Sequence, residues 1–354
     1  MRTLTVCLTV ISLVGATAGL RAETHRFAPT VFYTTFSGAH PPALRIKSGD
    51  RVITTTVDDL GVDAGGKILA SGLNPQTGPF YIEGAEPGDL IVVTIEKLEP
   101  NRATGESTSN MVPHSIDAGS ITSRPDLRRF PWTIDKAKGV VRLDLSTLAT
   151  RVDWRTRFGT TAIEMPLRPV LGSIGVAPAQ EALTSTTPGP FGGNLVSTGL
   201  GVGARVMLPV IQPGALLFLG HGHARQGDGA VTGTGIETSL DVEFSVQVVK
   251  KQEWPHSSVA RPSTIAGEFE LEWPRVETDD YLMTVGSAPS LLTALQHATI
   301  ELHHWLDDDF GLSEKAVSIL VGQAIEYEIA NIAEGSATVV AKVRKAYLPR
   351  PATE

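Results

Sequence analysis

Residues 206–237 read VMLPVIQPGALLFLGHGHARQGDGAVTGTGIE. Val206–Ile211 and Ala215–Leu219 are apolar stretches of strand length, parted by Pro213-Gly214, a pair that supplies turn geometry. Ala215–Leu219 reads as a buried strand, and His221 and His223 leave its end. Side chains two apart in a strand project from the same face, so the two imidazoles stand side by side. That spacing suits a first-row metal such as zinc, which takes imidazole and carboxylate ligands. Gly227 and Gly229 let the backbone turn tightly around Asp228, and Glu237 closes the block. A His-x-His pair alone is a weak signal, more often a surface or core pair. The dense polar and glycine-rich context raises a metal or catalytic site to equal standing with that plainer reading.

The same strand–turn–strand pattern occurs twice upstream. Ala43–Ile46, Ser48-Gly49-Asp50 and Val52–Val57 form one version; Phe80–Ile82, Pro87-Gly88-Asp89 and Leu90–Ile95 form the other. These are β-hairpins or sheet corners, at a spacing too irregular for a solenoid. Leu240, Val242, Phe244, Val246 and Val248 alternate with polar residues, as do Phe269, Leu271 and Trp273 with Glu268, Glu270 and Glu272, so each run predicts a strand with one buried face. The 35 glycines and 23 prolines favour short strands joined by turns. Near the C-terminus the period changes. Leu291, Leu292, Leu295, Leu302, Trp305 and Leu306 recur at helical spacing, and Ser313 is the expected N-cap of a second helix reaching to about Ala333, before a strand over Thr338–Val343. His297, His303 and His304 on the first helix are read as structural or solvated. Thr104–Asp126 lacks apolar periodicity and is expected to be a long covering loop with His114 exposed on it.

Arg2, the apolar stretch Leu4–Val14 and the small-residue end Leu20-Arg21-Ala22 have the pattern of a secretory signal, which predicts a secreted or periplasmic protein without a membrane span once residues 1–22 are removed. That removal lowers Lys plus Arg from 30 to 28 against 38 acids, a net charge of −10. Such an acidic surface argues against nucleic acid as a partner. The lone cysteine, Cys7, lies inside the signal, so the remainder has no disulfide, thiolate ligand or cysteine nucleophile, which excludes amide hydrolysis through a Cys-Glu-Lys triad.

Several segments group with the central block. Pro188–Asn194 is a glycine-rich loop whose backbone N–H groups, with Gly193 and Asn194, can contact a carbonyl oxygen. Asn74–Pro79 and Glu83–Asp89 flank a short strand, and Asp58 and Asp59 end another. Taken together, Leu44–Asp58, Asn74–Ile95, Arg168–Pro178, Gly189–Asn194 and Leu208–Glu237 resemble the acetamidase/formamidase family, with GPFYIEGAEPGD and HARQGDG the most specific parts. The resemblance implies a mostly β fold with a β-sandwich and barrel-like core over residues 23–285, and a small C-terminal α/β portion carrying two helices over 286–354. It implies hydrolysis of a small linear amide to a carboxylate and ammonia with a divalent metal, usually zinc. A homo-oligomer is expected. Three positions depart from the family pattern: His221 stands at an Asp, Ala230 at a Glu, and Val196 where an acid is common.

On this reading Asp58, His221 and His223 hold the metal. Glu83 or Glu237 handles the proton, Asp228 belongs to the catalytic block, and Asn74, Gly193, Asn194 and Gln226 bind the substrate. The competing expectation is a secreted cupin-like protein with a structural metal or a site without catalysis. A cupin needs a Glu shortly after the His pair and a further His on a later strand, and neither is convincing in this sequence.

Overall fold

The computed structural model describes residues 22–120, 126, 128–148, 150–179, 181–253 and 272–349. The expected signal, apart from Ala22, and the alternating residues Glu268–Leu271 lie outside them. The fold is mostly β, as expected, with two long antiparallel sheets and two helices near the C-terminus. Among the described residues, one sheet has nine strands, in the spatial order Thr24–Arg26, Arg51–Thr55, Leu240–Val249, Leu90–Pro100, Arg205–Pro209, Arg275–Glu277, Tyr281–Ala288, Ala337–Arg344 and Glu326–Asn331. The other has eleven, and at its heart lies Leu217–His223. Val170–Gly175 pairs with one side of that strand, and Gln76–Glu83 and Glu237–Thr238 share the other. Leu44–Lys47 runs parallel to Gln76–Glu83.

The three repeated strand–turn–strand patterns are sheet corners, not hairpins. In each, the first and second strands belong to different sheets: Leu44–Lys47 and Arg51–Thr55, Gln76–Glu83 and Leu90–Pro100, Arg205–Pro209 and Leu217–His223. Gly49, Gly88 and Gly214 take positive φ of 93°, 95° and 76°, where a side chain would be strained. Asp50 and Asp89 then close two of the corners alike. Each accepts a backbone N–H from three residues earlier, Lys47 at 2.8 Å and Glu86 at 2.9 Å. The corners cross-brace one another, since the Gly88 N–H donates to the Val210 carbonyl and the Gly214 N–H to that of Ala85.

Phe36, Phe80, Phe218, Phe244 and the buried faces of both sheets form the main core. A second core lies on the nine-stranded sheet beneath the helix Leu291–Phe310, built around Leu302, Trp305 and Leu306. Buried Arg275 ties that helix to the sheet through Glu301 at 2.6 Å and Asp308 at 3.1 Å. Ser313 caps the second helix as expected, but the helix stops at Ala324 instead of running to Ala333. Glu326–Asn331 is an edge strand paired with Ala337–Arg344, where ladder hydrogen bonds replace helical ones and Glu328 turns inward to Thr198 and Lys342. The three C-terminal strands thus continue the nine-stranded sheet, and Tyr281–Ala288 spans the expected 285/286 boundary. Thr104–Ser107 is a strand, and the segment after it lies along residues 231–234, with the Val112 N–H donating to the Val231 carbonyl and Thr108 bonded to Thr232 and Thr234. His114 is exposed, with Nδ1 3.3 Å from the Ile332 carbonyl. His297 stacks on Trp273. Among the described residues, no helix is long and apolar enough to cross a membrane.

Candidate metal centre

The sequence around the two histidines alternates glycine and imidazole because both faces of the strand are crowded. A Cβ on Gly220 would lie 2.6 Å from Gln76 Nε2, and one on Gly222 only 2.2 Å from Leu240 Cγ. The opposite face carries His221 and His223, whose rings lie 5.0 Å apart between centroids. Each ring is itself seated on a glycine. A Cβ on Gly172, in the neighbouring strand, would meet His221 Nε2 at 2.1 Å, and one on Gly235 would meet the His223 ring at 2.7 Å. Glu237 is paired directly across the ladder from His223. Its Oε1 lies 3.1 Å from His223 Nε2 and accepts the Gly235 N–H at 2.9 Å.

His221, His223 and Glu237 are all buried, with one donor atom from each falling within 4.8 Å of the others. Burial drives His221 down to about 3, and neighbouring His223 adds to the effect, so its ring is neutral with a free lone pair. Burial also opposes a charge on His223, but the Glu237 carboxylate outweighs it and raises the pKa. Glu237 is held low in return, its desolvation overcome by His223. Nδ1 of both histidines and Oε2 of Glu237 are buried without a hydrogen-bond partner among the described residues. Buried polar atoms in folded proteins are almost always satisfied. Two imidazoles and one carboxylate, each with an unused donor atom, fit the three-residue ligand set of a zinc site with an open fourth position.

The centre opens on a cavity of about 30 Å³, also lined by Asp59, Asn74, Asn194, Val196, Gln226, Ala230, Asn331 and Glu334. Three of these, Asn74, Val196 and Ala230, are non-glycine residues at φ of 49°, 53° and 45°. Backbone held in this region costs of order 1–3 kcal/mol per residue and tends to collect at functional sites. Asp59 enters the cavity gripped by both terminal nitrogens of Arg129. Burial and then Glu237 raise its pKa against the pull of that arginine. Asn194 Nδ2 donates to Glu334 Oε2 at 3.0 Å and to the Thr186 carbonyl at 3.3 Å, while Gln226 Nε2 donates to the Val196 carbonyl at 2.9 Å. Both amide oxygens are buried with no partner among the described residues.

Of the residues named from sequence, Asn74, Asn194, His221, His223, Gln226 and Glu237 meet in this one place. Four do not. Asp58 points away, bonded to Arg102 at 2.6 Å and to the N–H groups of Leu60 and Val62, so its carboxylate caps a turn. Glu83 is exposed at the far end of the Gln76–Glu83 strand, roughly 20 Å of strand from where Gln76 meets Gly220. Asp228 is exposed on a short 3₁₀ turn. Gly193 lies behind the cavity at φ 91°, where a Cβ would come within 2.2 Å of the Thr187 carbonyl; it lets the chain turn so that Asn194 can enter. Asp59, Arg129, Asn331 and Glu334 had not been placed at the site from sequence. The Asp58-Asp59 pair was a usable signal for the first. The others arrive from distant segments, Glu334 from a turn where the sequence predicted the end of a helix.

Residues 177–343 match the model of the acetamidase/formamidase family. A Schizosaccharomyces pombe protein provisionally named a formamidase is 30% identical over 213 residues, covering 49% of this chain and 51% of that one. An acetamidase of Mycolicibacterium smegmatis is 26% identical over 241 residues, covering 56% and 59% respectively. The matches thus span between half and three fifths of these two relatives. The crystal structure of an acetamidase from Yersinia enterocolitica superposes with a TM-score of 0.72 at 28% identity, over 95% of this chain and 96% of that one.

Proposed function

Because the chain belongs to the acetamidase/formamidase family, we propose that it hydrolyses the carbon–nitrogen bond of a small linear primary amide, with a divalent metal, zinc by its donor set, held by His221, His223 and Glu237. The observation that carries this reading is the buried His–His–Glu cluster with its unused donor atoms on a cavity of about 30 Å³. When bound, such a metal supplies Lewis-acid activation of water and of the carbonyl group at neutral pH.

The protein's own residues supply the rest. His221 is kept neutral by burial and ready to ligate. Gly235 and His223 fix the Glu237 carboxylate. Asn194 and Gln226 line the cavity, and their amide oxygens, buried and without a partner among the described residues, are the acceptors that the two N–H bonds of a primary amide satisfy. Asn194 therefore recognises the amide nitrogen, because its own NH₂ is engaged elsewhere and cannot hold the carbonyl oxygen. Asp59, oriented by Arg129, accepts the proton released as water adds to the carbonyl carbon and returns it to the nitrogen as the C–N bond breaks. The products are the carboxylic acid and ammonia, which leave as carboxylate and ammonium once the acid's proton has passed to the ammonia.

The test is ammonia release from formamide, acetamide and propionamide, with metal content measured on the same samples. The parent should be active, lose activity to a chelator and regain it with zinc. Asp59→Asn should fall by about 10²-fold or more, and Glu237→Gln should lose metal as well as activity. A parent carrying one metal per chain but inert on all three amides would instead favour a binding protein, consistent with Ala230 at the position where the family has an acid.

A further inference from the structure

The inner cavity has a neighbour. A second cavity, of about 380 Å³, lies outside it against Leu73, Thr186, Thr187 and Pro188. Among the described residues, Glu334 is the one side chain that lines both. It stands in the turn between the two last strands, Glu326–Asn331 and Ala337–Arg344, a turn stiffened where Asn331 Oδ1 accepts the Ala333 N–H at 2.8 Å. Its carboxylate reaches across to Asn194 Nδ2.

That contact fixes more than Glu334. The two ends of an amide side chain are told apart by their partners. Asn194 Nδ2 is held between two acceptors, Glu334 Oε2 and the Thr186 carbonyl. Turning the amide over would set oxygen against oxygen at both. Asn194 Oδ1 is thereby fixed on the other side of its amide, buried and without a hydrogen-bond partner among the described residues, in a residue that lines the inner cavity. The inner space itself has room for about one or two waters, which suits the smallest amides, and anything larger must extend past Glu334 into the outer cavity.

We propose that Glu334 is the specificity-determining residue of this site: it positions Asn194 to receive an N–H of the substrate and walls the inner cavity off from the outer one. The inference rests on the amidase reading. Glu334 does not touch the reacting atoms; it acts through Asn194 and through the space it fills. Burial, and Glu237 beyond it, raise its pKa to about 7 against the Asn194 hydrogen bond. Either protonation state leaves an oxygen to accept from Asn194, so the clamp does not require the charge.

The experiment compares the parent, Glu334→Gln and Glu334→Ala on formamide and butyramide, reading kcat and KM separately. The parent should prefer formamide. In Glu334→Ala that preference, as the ratio of kcat/KM values, should fall by about tenfold or more, the scale on which pockets discriminate added methylenes. KM for formamide should rise more than kcat falls, and Glu334→Gln, which keeps the wall and an acceptor oxygen, should behave as the parent. An unchanged ratio in Glu334→Ala overturns the proposal, and so does Glu334→Gln behaving like Glu334→Ala. A parent that releases no ammonia brings in calorimetric binding of the same two amides. Tighter binding of formamide that Glu334→Ala abolishes would keep the role of Glu334 while ending the amidase reading. Binding of neither amide, or a preference that survives in Glu334→Ala, would overturn the role of Glu334 as well.

Discussion

At the scale of single residues, the centre depends as much on missing side chains as on present ones. Gly172 is the clearest case: His221 lies where its Cβ would be. Gly172→Ala is therefore expected to rotate His221 out of the cluster and lower metal content to the level of His221→Ala, although it changes no ligand. Metal analysis of the two variants checks this, and full occupancy in Gly172→Ala would mean the ring can relocate. His221 and His223 could be placed on one face because strand parity is fixed and the run before them is apolar. Asp58 and Asp59 could not be told apart, because the strand ends at Thr55 and parity lapses once the chain leaves the pleat.

At the scale of elements, the sheet corners carry the architecture. The Gly-Asp turns were visible in the sequence, but a positive-φ glycine serves a hairpin and a corner equally well. Only the strands it joins decide, and those are long-range partners. Asp89 illustrates what a corner contributes. Its carboxylate accepts the N–H groups of Glu86 and Lys251 and an ion pair from Lys250, which together hold its pKa low although burial alone would raise it. A depressed folded-state pKa adds stability that is complete above the unfolded value and is lost as pH falls through the folded one. Asp89→Asn should therefore lower stability at pH 7 by about 1–3 kcal/mol. The gap to the parent should close as pH drops below about 4. Urea unfolding of both proteins across that range is the check; a gap independent of pH would assign the effect to packing and not to the charge. The second helix shows the converse limit. Its cap at Ser313 was legible, yet its end was not, because Glu326–Asn331 becomes a strand by pairing with Ala337–Arg344.

For the whole molecule, the mostly β character, the two helices and the buried strand that leads into the His-x-His pair were legible from period and composition, since each is written locally. Part of the cavity wall was not, because Asp59, with Arg129 behind it, Asn331 and Glu334 reach the cavity from segments far apart in the chain. A centre that bridges two strands also couples metal to global stability. A ligand that binds only the folded state raises stability as its concentration exceeds Kd, by about 2.7 kcal/mol at a hundredfold excess. Chelation should lower the Tm of the parent and leave that of a His221→Ala/His223→Ala double variant unmoved, as differential scanning calorimetry would show; equal shifts in both would place the stabilising metal elsewhere. The position of Glu334 has a consequence in time as well as in space. The His–His–Glu cluster is complete once Glu237 has been made, yet the wall that selects the substrate lies nearly a hundred residues further along the chain. At ribosomal speeds that is roughly 5–20 s of synthesis. During that interval the chain lacks Glu334 and the last two strands of the nine-stranded sheet, so on the reading proposed above selectivity is the last property of the site to be synthesised.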